Sequence, residues 1–118
     1  MGSSTYFFIA AAIAYIAYIK YKSYRSPEQI EEMTQAIHQG AALVDVRSHA
    51  EFTAGHIAGA INIPLSSISQ SQSDIGSLEE PVVVYCRSGS RSRSAQGALQ
   101  RMGFQKIMDL GPMSNWPS

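Results

Sequence analysis

The 118-residue sequence predicts an α/β domain with a small central parallel sheet flanked by helices on both faces, preceded by one N-terminal hydrophobic helix. Three observations predict this arrangement. Segments with helical spacing of apolar residues alternate with short β-branched runs, which is typical of a parallel sheet covered by helices. The run 81–85 (PVVVY) is apolar without interruption, which indicates a strand buried on both faces. The apolar stretch 6–19 lies outside this alternation and predicts a separate helix.

Composition excludes several classes of protein. Hydrophobic residues make up 45% of the chain and charged residues 15%, so the chain has enough apolar surface to fold. The formal net charge is zero, and without a basic surplus no nucleic-acid partner is expected. Cys86 is the single cysteine, which excludes an internal disulfide and a zinc site built from several thiolates.

Residues 1–25 are predicted to form a membrane anchor followed by a basic juxtamembrane segment. The stretch 6–19 (YFFIAAAIAYIAYI) carries no charge. Extended to 5–24, it has about 20 residues, which as a helix reach ~30 Å and cross a bilayer. Lys20 and Lys22 follow the stretch, together with Arg25. The positive-inside rule therefore predicts a single-pass protein of the inner (cytoplasmic) membrane with its folded domain in the cytoplasm.

Other interpretations of the N-terminal stretch compete with the anchor. A cleaved signal peptide normally begins with basic residues, and residues 1–5 have none. N-myristoylation requires Ser or Thr at the position that Tyr6 occupies. A helix that docks on the domain, or that lies in the membrane interface, stays open as an alternative.

Residues 26–118 are predicted to form the folded domain, with a formal charge of −3 against +3 for residues 1–25. Capping boxes beginning at Ser26 and Ser48 predict two helix starts. We expect strands over 42–46, 59–64, 81–85 and 105–110, and helices over 26–40, 48–55 and 92–102. The Ser- and Gln-rich stretch 66–77 is expected to be a loop with one helical turn near Ile68, and Trp116 is expected to pack on the domain.

The segment 86–92 (CRSGSRS) is the candidate active site, because it joins the predicted strand 81–85, the most buried one, to the helix that follows. Ligands of open α/β sheets bind at the carboxyl ends of strands, where backbone N–H groups and a helix N-terminus attract anions. Gly89 permits a positive φ and close approach of a ligand. Three arginines lie in or beside the segment: Arg87, Arg91 and Arg93. These surroundings favour the thiolate form of Cys86, so we expect an anion site with a nucleophilic sulfur at its base.

Other interpretations of this segment compete with an anion site. A lone cysteine at a strand end is often only a small buried hydrophobic residue. A cysteine phosphatase requires an arginine six positions after the cysteine, whereas Arg91 is five positions after Cys86 and Ser92 occupies the sixth. A Walker-type loop requires a lysine that the segment lacks. A loop with the five-position spacing is tighter than a phosphatase loop, and it fits a small sulfur oxyanion better than a phosphate.

Four segments in order resemble a single-domain rhodanese, a thiosulfate sulfurtransferase. They are 44–47 (VDVR), 51–64 (EFTAGHIAGAINIP), 86–92 and 111–116 (GPMSNW). Together they cover about residues 26–118, and their order is far more specific than any one of them. Pro112 stands where the family often has a second glycine. We expect this departure to alter the tail and to leave the 86–92 loop unchanged.

The resemblance implies a two-step sulfur transfer without a metal or organic cofactor. Cys86 is the implied catalytic residue, and the rest of the loop binds the substrate: Arg87, Ser88, Gly89, Ser90, Arg91 and Ser92. The implied partners are thiosulfate or another small sulfur donor and a thiol or cyanide acceptor. A catalytically silent rhodanese-like interaction module at the membrane is the alternative from another class, and a small phosphatase or arsenate reductase is a third.

Polar residues outside the loop are expected to support it. Asp45 follows a predicted strand and is expected to orient an arginine or loop N–H groups. Arg47 and Glu51 lie four residues apart at a helix start, where we expect an ion pair. His56 is expected to be a hydrogen-bonded structural residue and not a base.

Overall fold

The computed structural model describes residues 2–117, and within them four strands form one fully parallel sheet. The strands are β1 (Ala42–Asp45), β2 (Ile61–Asn62), β3 (Val82–Cys86) and β4 (Ile107–Pro112), in the order β2-β1-β3-β4. β3 lies between β1 and β4, and its residues are all buried. The predicted parallel α/β sheet is confirmed.

The helices are α1 (Gly2–Ser23), α2 (Pro27–His38), α3 (His49–Ala54), α4 (Gln72–Ile75) and α5 (Ser90–Met102). Short 3-10 helices cover Leu65–Gln70 and Met113–Asn115. Both predicted capping boxes are present, with Ser26 and Gln29 at α2 and with Ser48 and Glu51 at α3. Each box satisfies backbone N–H groups that the first turn of a helix leaves without partners, and so fixes where the helix begins.

The core has one apolar cluster on each face of the sheet. On one face Val84 and Cys86 pack with Leu99 of α5, and Ile68 and Ile75 complete the cluster. On the other face Val83 and Tyr85 pack with Met33 of α2, Leu110 and the partly buried Trp116. Successive residues of β3 therefore contribute to opposite clusters, as the alternation of side chains along a strand requires. The helices cover both faces of the sheet.

Several predicted boundaries were wrong. The expected helical turn near Ile68 is present as a 3-10 helix, but the stretch 66–77 is helical over most of its length, because Ile68 and Ile75 are buried and anchor the 3-10 helix and α4 to the core. The predicted strand 59–64 is reduced to Ile61–Asn62, which is preceded by a turn at Gly59 with φ +88°. β4 begins and ends two residues later than expected, and its register against β3 shifts at Val84/Tyr85.

α1 is long and apolar enough to cross a membrane by length and composition, with a mean hydropathy of 1.2 over an 18-residue window within Ser3–Ser23. None of this stretch is buried against the domain. Large side chains such as Phe7, Phe8 and Tyr15 are about two-thirds exposed or more. A helix that packs into a protein core buries such residues, so this helix has an apolar surface that the domain does not cover.

The carboxyl end of α1 is nevertheless attached to the domain. The Arg25 guanidinium donates to the backbone oxygen of Asp109 (Nε–O 2.6 Å) and to that of Lys22 (Nη1–O 2.8 Å). It also pairs with the Asp109 carboxylate at 3.4 Å. Asn115 Nδ2 donates to the backbone oxygen of Ser23 at 2.8 Å. These contacts fix the end of α1 against the carboxyl end of β4.

We expect Arg25→Ala to lower the free energy of unfolding by about 1–3 kcal/mol, because it removes charge-assisted hydrogen bonds to backbone oxygens and the ion-pair partner of the largely buried Asp109 carboxylate. Urea unfolding of the full chain in detergent, followed by the fluorescence of Trp116, measures this change. Lys20→Ala is the matched control, since Lys20 is exposed and makes no ion pair among the described residues. An equal loss in both variants would contradict the attachment.

Candidate active site

Cys86 is the last residue of β3, and its side chain is fully buried at the start of the loop to α5. Its Sγ accepts two backbone hydrogen bonds, from the Gly89 amide at 3.0 Å and from the Ser92 amide at 3.3 Å. Ser92 Oγ donates to the Gly89 backbone oxygen at 3.1 Å, which ties the loop to the first turn of α5. The loop therefore curls around the sulfur and directs N–H groups at it.

The loop can close in this way because Gly89 lies in the left-handed region. Its φ is +103°, which a residue with a side chain adopts only with strain. A Cβ at this position would also lie 3.4 Å from Pro112 Cδ and 3.5 Å from Ser23 Oγ. These distances are ordinary van der Waals contacts, so the backbone conformation, and not the surrounding atoms, favours glycine here.

Pro112 is closer to the loop than the sequence suggested. It pairs with Cys86 in the register of β3 and β4, and its ring lies beside Gly89. β4 extends to residue 112 and brings the ring against the loop. That the loop itself is unchanged by Pro112 stays a prediction.

Arg91 is bound to Glu51 across 40 residues of sequence. Its guanidinium makes two hydrogen bonds to the carboxylate, Nη1–Oε1 at 2.7 Å and Nη2–Oε2 at 3.0 Å. The bond from Arg91 holds the pKa of Glu51 at about 2, below its ordinary 4.5, and the same bond raises the pKa of Arg91. The pair fastens the first turn of α5 to α3.

The predicted ion pair between Arg47 and Glu51 was wrong. Arg47 instead binds the buried carboxylate of Asp45, with Nη2–Oδ2 at 2.7 Å, and also donates to the Gly55 backbone oxygen at 2.6 Å. The hydrogen bonds to Asp45 raise the pKa of Arg47. Arg47 precedes the N-cap Ser48 and lies outside the helix, so the four-residue spacing does not bring it to Glu51.

Tyr85 joins this buried pair, and sequence reasoning missed it. The Arg47 guanidinium lies over its ring at 5.8 Å, and its hydroxyl accepts the Ile57 amide at 3.1 Å. Burial raises the pKa of Tyr85, and the neighbouring Asp45 carboxylate raises it further. The sequence did hold a signal for the position of Tyr85. Side chains alternate along β3, so the residue before Cys86 points to the opposite face of the sheet from Cys86.

The remaining predicted residues divide by exposure. Arg87, Ser88 and Ser90 are exposed, whereas Gly89 and Ser92 are buried. His56 donates through Nδ1–H to the Phe52 backbone oxygen at 2.8 Å and stacks on the Phe52 ring, as expected of a hydrogen-bonded structural residue. Within residues 2–117 no cluster of three or more His, Cys, Asp or Glu side chains is arranged to hold a metal ion.

Comparison with known proteins identifies the class. The family model of the rhodanese-like domain matches residues 26–116. The chain therefore belongs to the rhodanese-like family, as the four sequence segments indicated.

Individual relatives agree with this assignment. The chain is 40% identical over 87 residues to the uncharacterized protein YqhL of Bacillus subtilis, covering 73% of this chain and 68% of YqhL. It is 32% identical over 93 residues to the thiosulfate sulfurtransferase GlpE of Pseudomonas aeruginosa, covering 78% of this chain and 81% of GlpE. Among solved structures, the human single-domain sulfurtransferase TSTD1 superposes with a TM-score of 0.60 at 29% identity, covering 67% of this chain and 82% of TSTD1.

We expect Glu51→Gln to flatten the acid dependence of stability. In the unfolded chain Glu51 takes up a proton near its ordinary pKa of 4.5, whereas in the folded protein it does so only near pH 2. The stabilisation that the Glu51 carboxylate contributes to the folded state is therefore lost as the pH falls from about 4.5 to about 2. The wild type should therefore lose more unfolding free energy between these pH values than the variant. Urea unfolding at a series of pH values measures the slope.

Glu79→Gln is the control, because Glu79 makes no ion pair among residues 2–117. The assigned Arg91–Glu51 contact would be contradicted if Glu51→Gln kept the wild-type slope.

Proposed function

We propose that this protein is a membrane-anchored sulfurtransferase that moves sulfane sulfur from thiosulfate or a related donor to a thiophilic acceptor through a Cys86 persulfide. The observation that carries the proposal is the pair of amides, from Gly89 and Ser92, that donate to Cys86 Sγ. Donors directed at a sulfur stabilise its negative form, which is the nucleophile. Membership of the rhodanese-like family and the named sulfurtransferase relatives support the same activity.

In the first step the Cys86 thiolate attacks the outer sulfur of thiosulfate. The new bond joins Sγ to that sulfur, the sulfur–sulfur bond of thiosulfate breaks, and sulfite leaves with the bonding electron pair. The enzyme then carries a persulfide whose outer sulfur is negative at neutral pH. The backbone amides of the 86–92 loop can stabilise the charge of the persulfide as they do that of the thiolate, so the same loop serves both forms of Cys86.

In the second step a nucleophilic acceptor attacks the outer sulfur and Cys86 leaves as a thiolate. With cyanide the product is thiocyanate, and with a thiol it is a new persulfide. Residues other than Cys86 hold the 86–92 loop in its conformation. Arg91, held by Glu51, fixes the turn of α5, and the exposed Arg87 is the loop cation without an ion pair among the described residues. In this proposal Arg87 attracts the dianionic sulfur donor, thiosulfate, to the loop.

The membrane placement is part of the same proposal. The exposed apolar helix α1 supports a single span, and Lys20, Lys22 and Arg25 at its carboxyl end support a cytoplasmic domain by the positive-inside rule. The cytoplasm also keeps a lone thiol reduced, which a persulfide carrier requires. We infer an inner-membrane location with catalysis on the cytoplasmic side.

We expect Cys86→Ser to lower thiosulfate:cyanide sulfurtransfer by roughly a thousandfold or more, because the hydroxyl is a far weaker nucleophile than the thiolate. Mass spectrometry after thiosulfate treatment should show one added sulfur on Cys86 of the wild type. The added sulfur should disappear when cyanide is supplied.

Ser94→Ala is the control for this experiment, since Ser94 is an exposed residue of α5 beyond the loop. Full activity of the Cys86→Ser protein would refute the proposal. Failure to form a persulfide with any donor would favour the catalytically silent module, and aryl phosphate hydrolysis that depends on Cys86 would favour a phosphatase.

Topology gives a separate prediction. A green fluorescent protein fused after Ser118 should fluoresce in cells, and alkaline phosphatase fused at the same place should be inactive, because each reporter works on one side of the membrane. The converse pattern would place Cys86 in an oxidising compartment and contradict the cytoplasmic assignment. Cleavage of residues 1–25 in the mature protein, found by mass, would contradict the anchor.

A further inference from the structure

A cleft separates the carboxyl-terminal half of α1 from the loop and first turn of α5. Its volume is about 340 Å³. Tyr15, Tyr18, Ile19 and Lys22 line it on the α1 side. Ser88, Ser90 and Arg93 line it on the domain side. The cleft therefore adjoins the loop that holds Cys86.

The α1 wall is apolar and then basic along one face. Residues 15, 18, 19 and 22 follow the three- and four-residue spacing that places side chains on one side of a helix. Tyr15 and Tyr18 are more than half exposed, so the domain leaves their rings uncovered. Lys22 Nζ lies 5.6 Å from the centre of the Tyr18 ring, which places the charge at the end of the apolar face.

The charges lining the cleft are all positive. Lys22 and Arg93 make no ion pair within residues 2–117, and no carboxylate lines the cleft. The hydroxyl groups of Ser88 and Ser90 add donors on the domain side. Two unpaired cations with hydroxyl donors are the groups that proteins use for phosphate oxygens.

The attachment of α1 keeps the two walls of the cleft facing each other. Asn115 donates to the Ser23 backbone oxygen, and Ser23 Oγ donates to the Ser88 backbone oxygen at 3.4 Å. Arg25 binds Asp109 on the other side of the junction. The cleft is thus a feature of the docked arrangement and not of either part alone.

We propose that this cleft binds the phosphate headgroup of an anionic phospholipid, with an acyl chain along Tyr15, Tyr18 and Ile19 and the phosphate between Lys22 and Arg93. The proposal rests on the proposed membrane span. In that span the cleft lies at the carboxyl end of the helix, at the depth where headgroups meet the acyl chains. A ligand that is both apolar and anionic matches the two walls, whereas free phosphate matches only the basic one.

The test uses the full chain in neutral detergent, mixed with phosphatidylglycerol and phosphatidylcholine of identical acyl chains, and counts bound lipid by native mass spectrometry. We expect the wild type to prefer phosphatidylglycerol. The double variant Lys22→Gln, Arg93→Gln should lose this preference by roughly thirtyfold, the size expected for two basic groups near an anionic lipid. The control Lys20→Gln, Arg101→Gln removes the same charge outside the cleft and should keep the preference.

An equal loss in the control would overturn the proposal, because it would show attraction by overall charge. Displacement of phosphatidylglycerol by an equal concentration of inorganic phosphate would also overturn it, since the apolar wall would then contribute nothing. Two readouts on the same preparation distinguish this failure from that of the proposed function. Flotation with vesicles reports the membrane span, and persulfide formation reports sulfur transfer.

Discussion

Two hydrogen bonds to one sulfur atom set the requirements for the rest of the site. For the amides of Gly89 and Ser92 to meet at Cys86 Sγ, a buried strand must end at the cysteine and a helix must begin four residues later. The chain can turn that sharply because Gly89 adopts a φ of +103°. Pro112 and Ser23 then pack against the outside of the turn, so the conformation is held by neighbours as well as by its own backbone.

The number of arginines near the loop overstates the positive charge that is available to a substrate, because some of these arginines are in ion pairs. Arg91 is engaged by Glu51, and Arg47 is engaged by Asp45, so neither offers an unpaired charge to a substrate. Their contribution is to fasten α5 and the segment before α3 in place. In the proposed reaction, backbone dipoles stabilise the sulfur anion, and they cost no reorganisation when the charge develops. Unpaired cations such as Arg87 and Arg93 are peripheral, and in the proposals made above they attract anionic ligands.

The sequence predicted those parts of the structure that local chemistry determines. Capping boxes at Ser26 and Ser48 marked helix starts correctly, since the bonds involved span only three residues. The Arg47–Glu51 assignment failed because the spacing rule for helices was applied across an N-cap. The stretch 66–77 was missed because two isoleucines, Ile68 and Ile75, owe their burial to partners elsewhere in the chain. Ion pairs such as Arg91–Glu51 depend on tertiary structure and have no local signature.

The short junction between α1 and the domain has a mechanical consequence for the proposed enzyme. Three residues separate the end of α1 from the start of α2, and Arg25 within them is bound to Asp109. A flexible linker would let the domain explore many orientations, and the effective concentration of the cysteine near the membrane would fall as the linker lengthened. Here the junction is held, and the helix touches the loop itself through Ser23 and Ser88. If α1 spans a bilayer, the fold then sets the height and orientation of Cys86 above the surface. A sulfur acceptor that is itself confined to the membrane would meet the persulfide at a fixed geometry, which favours such an acceptor over one that diffuses freely.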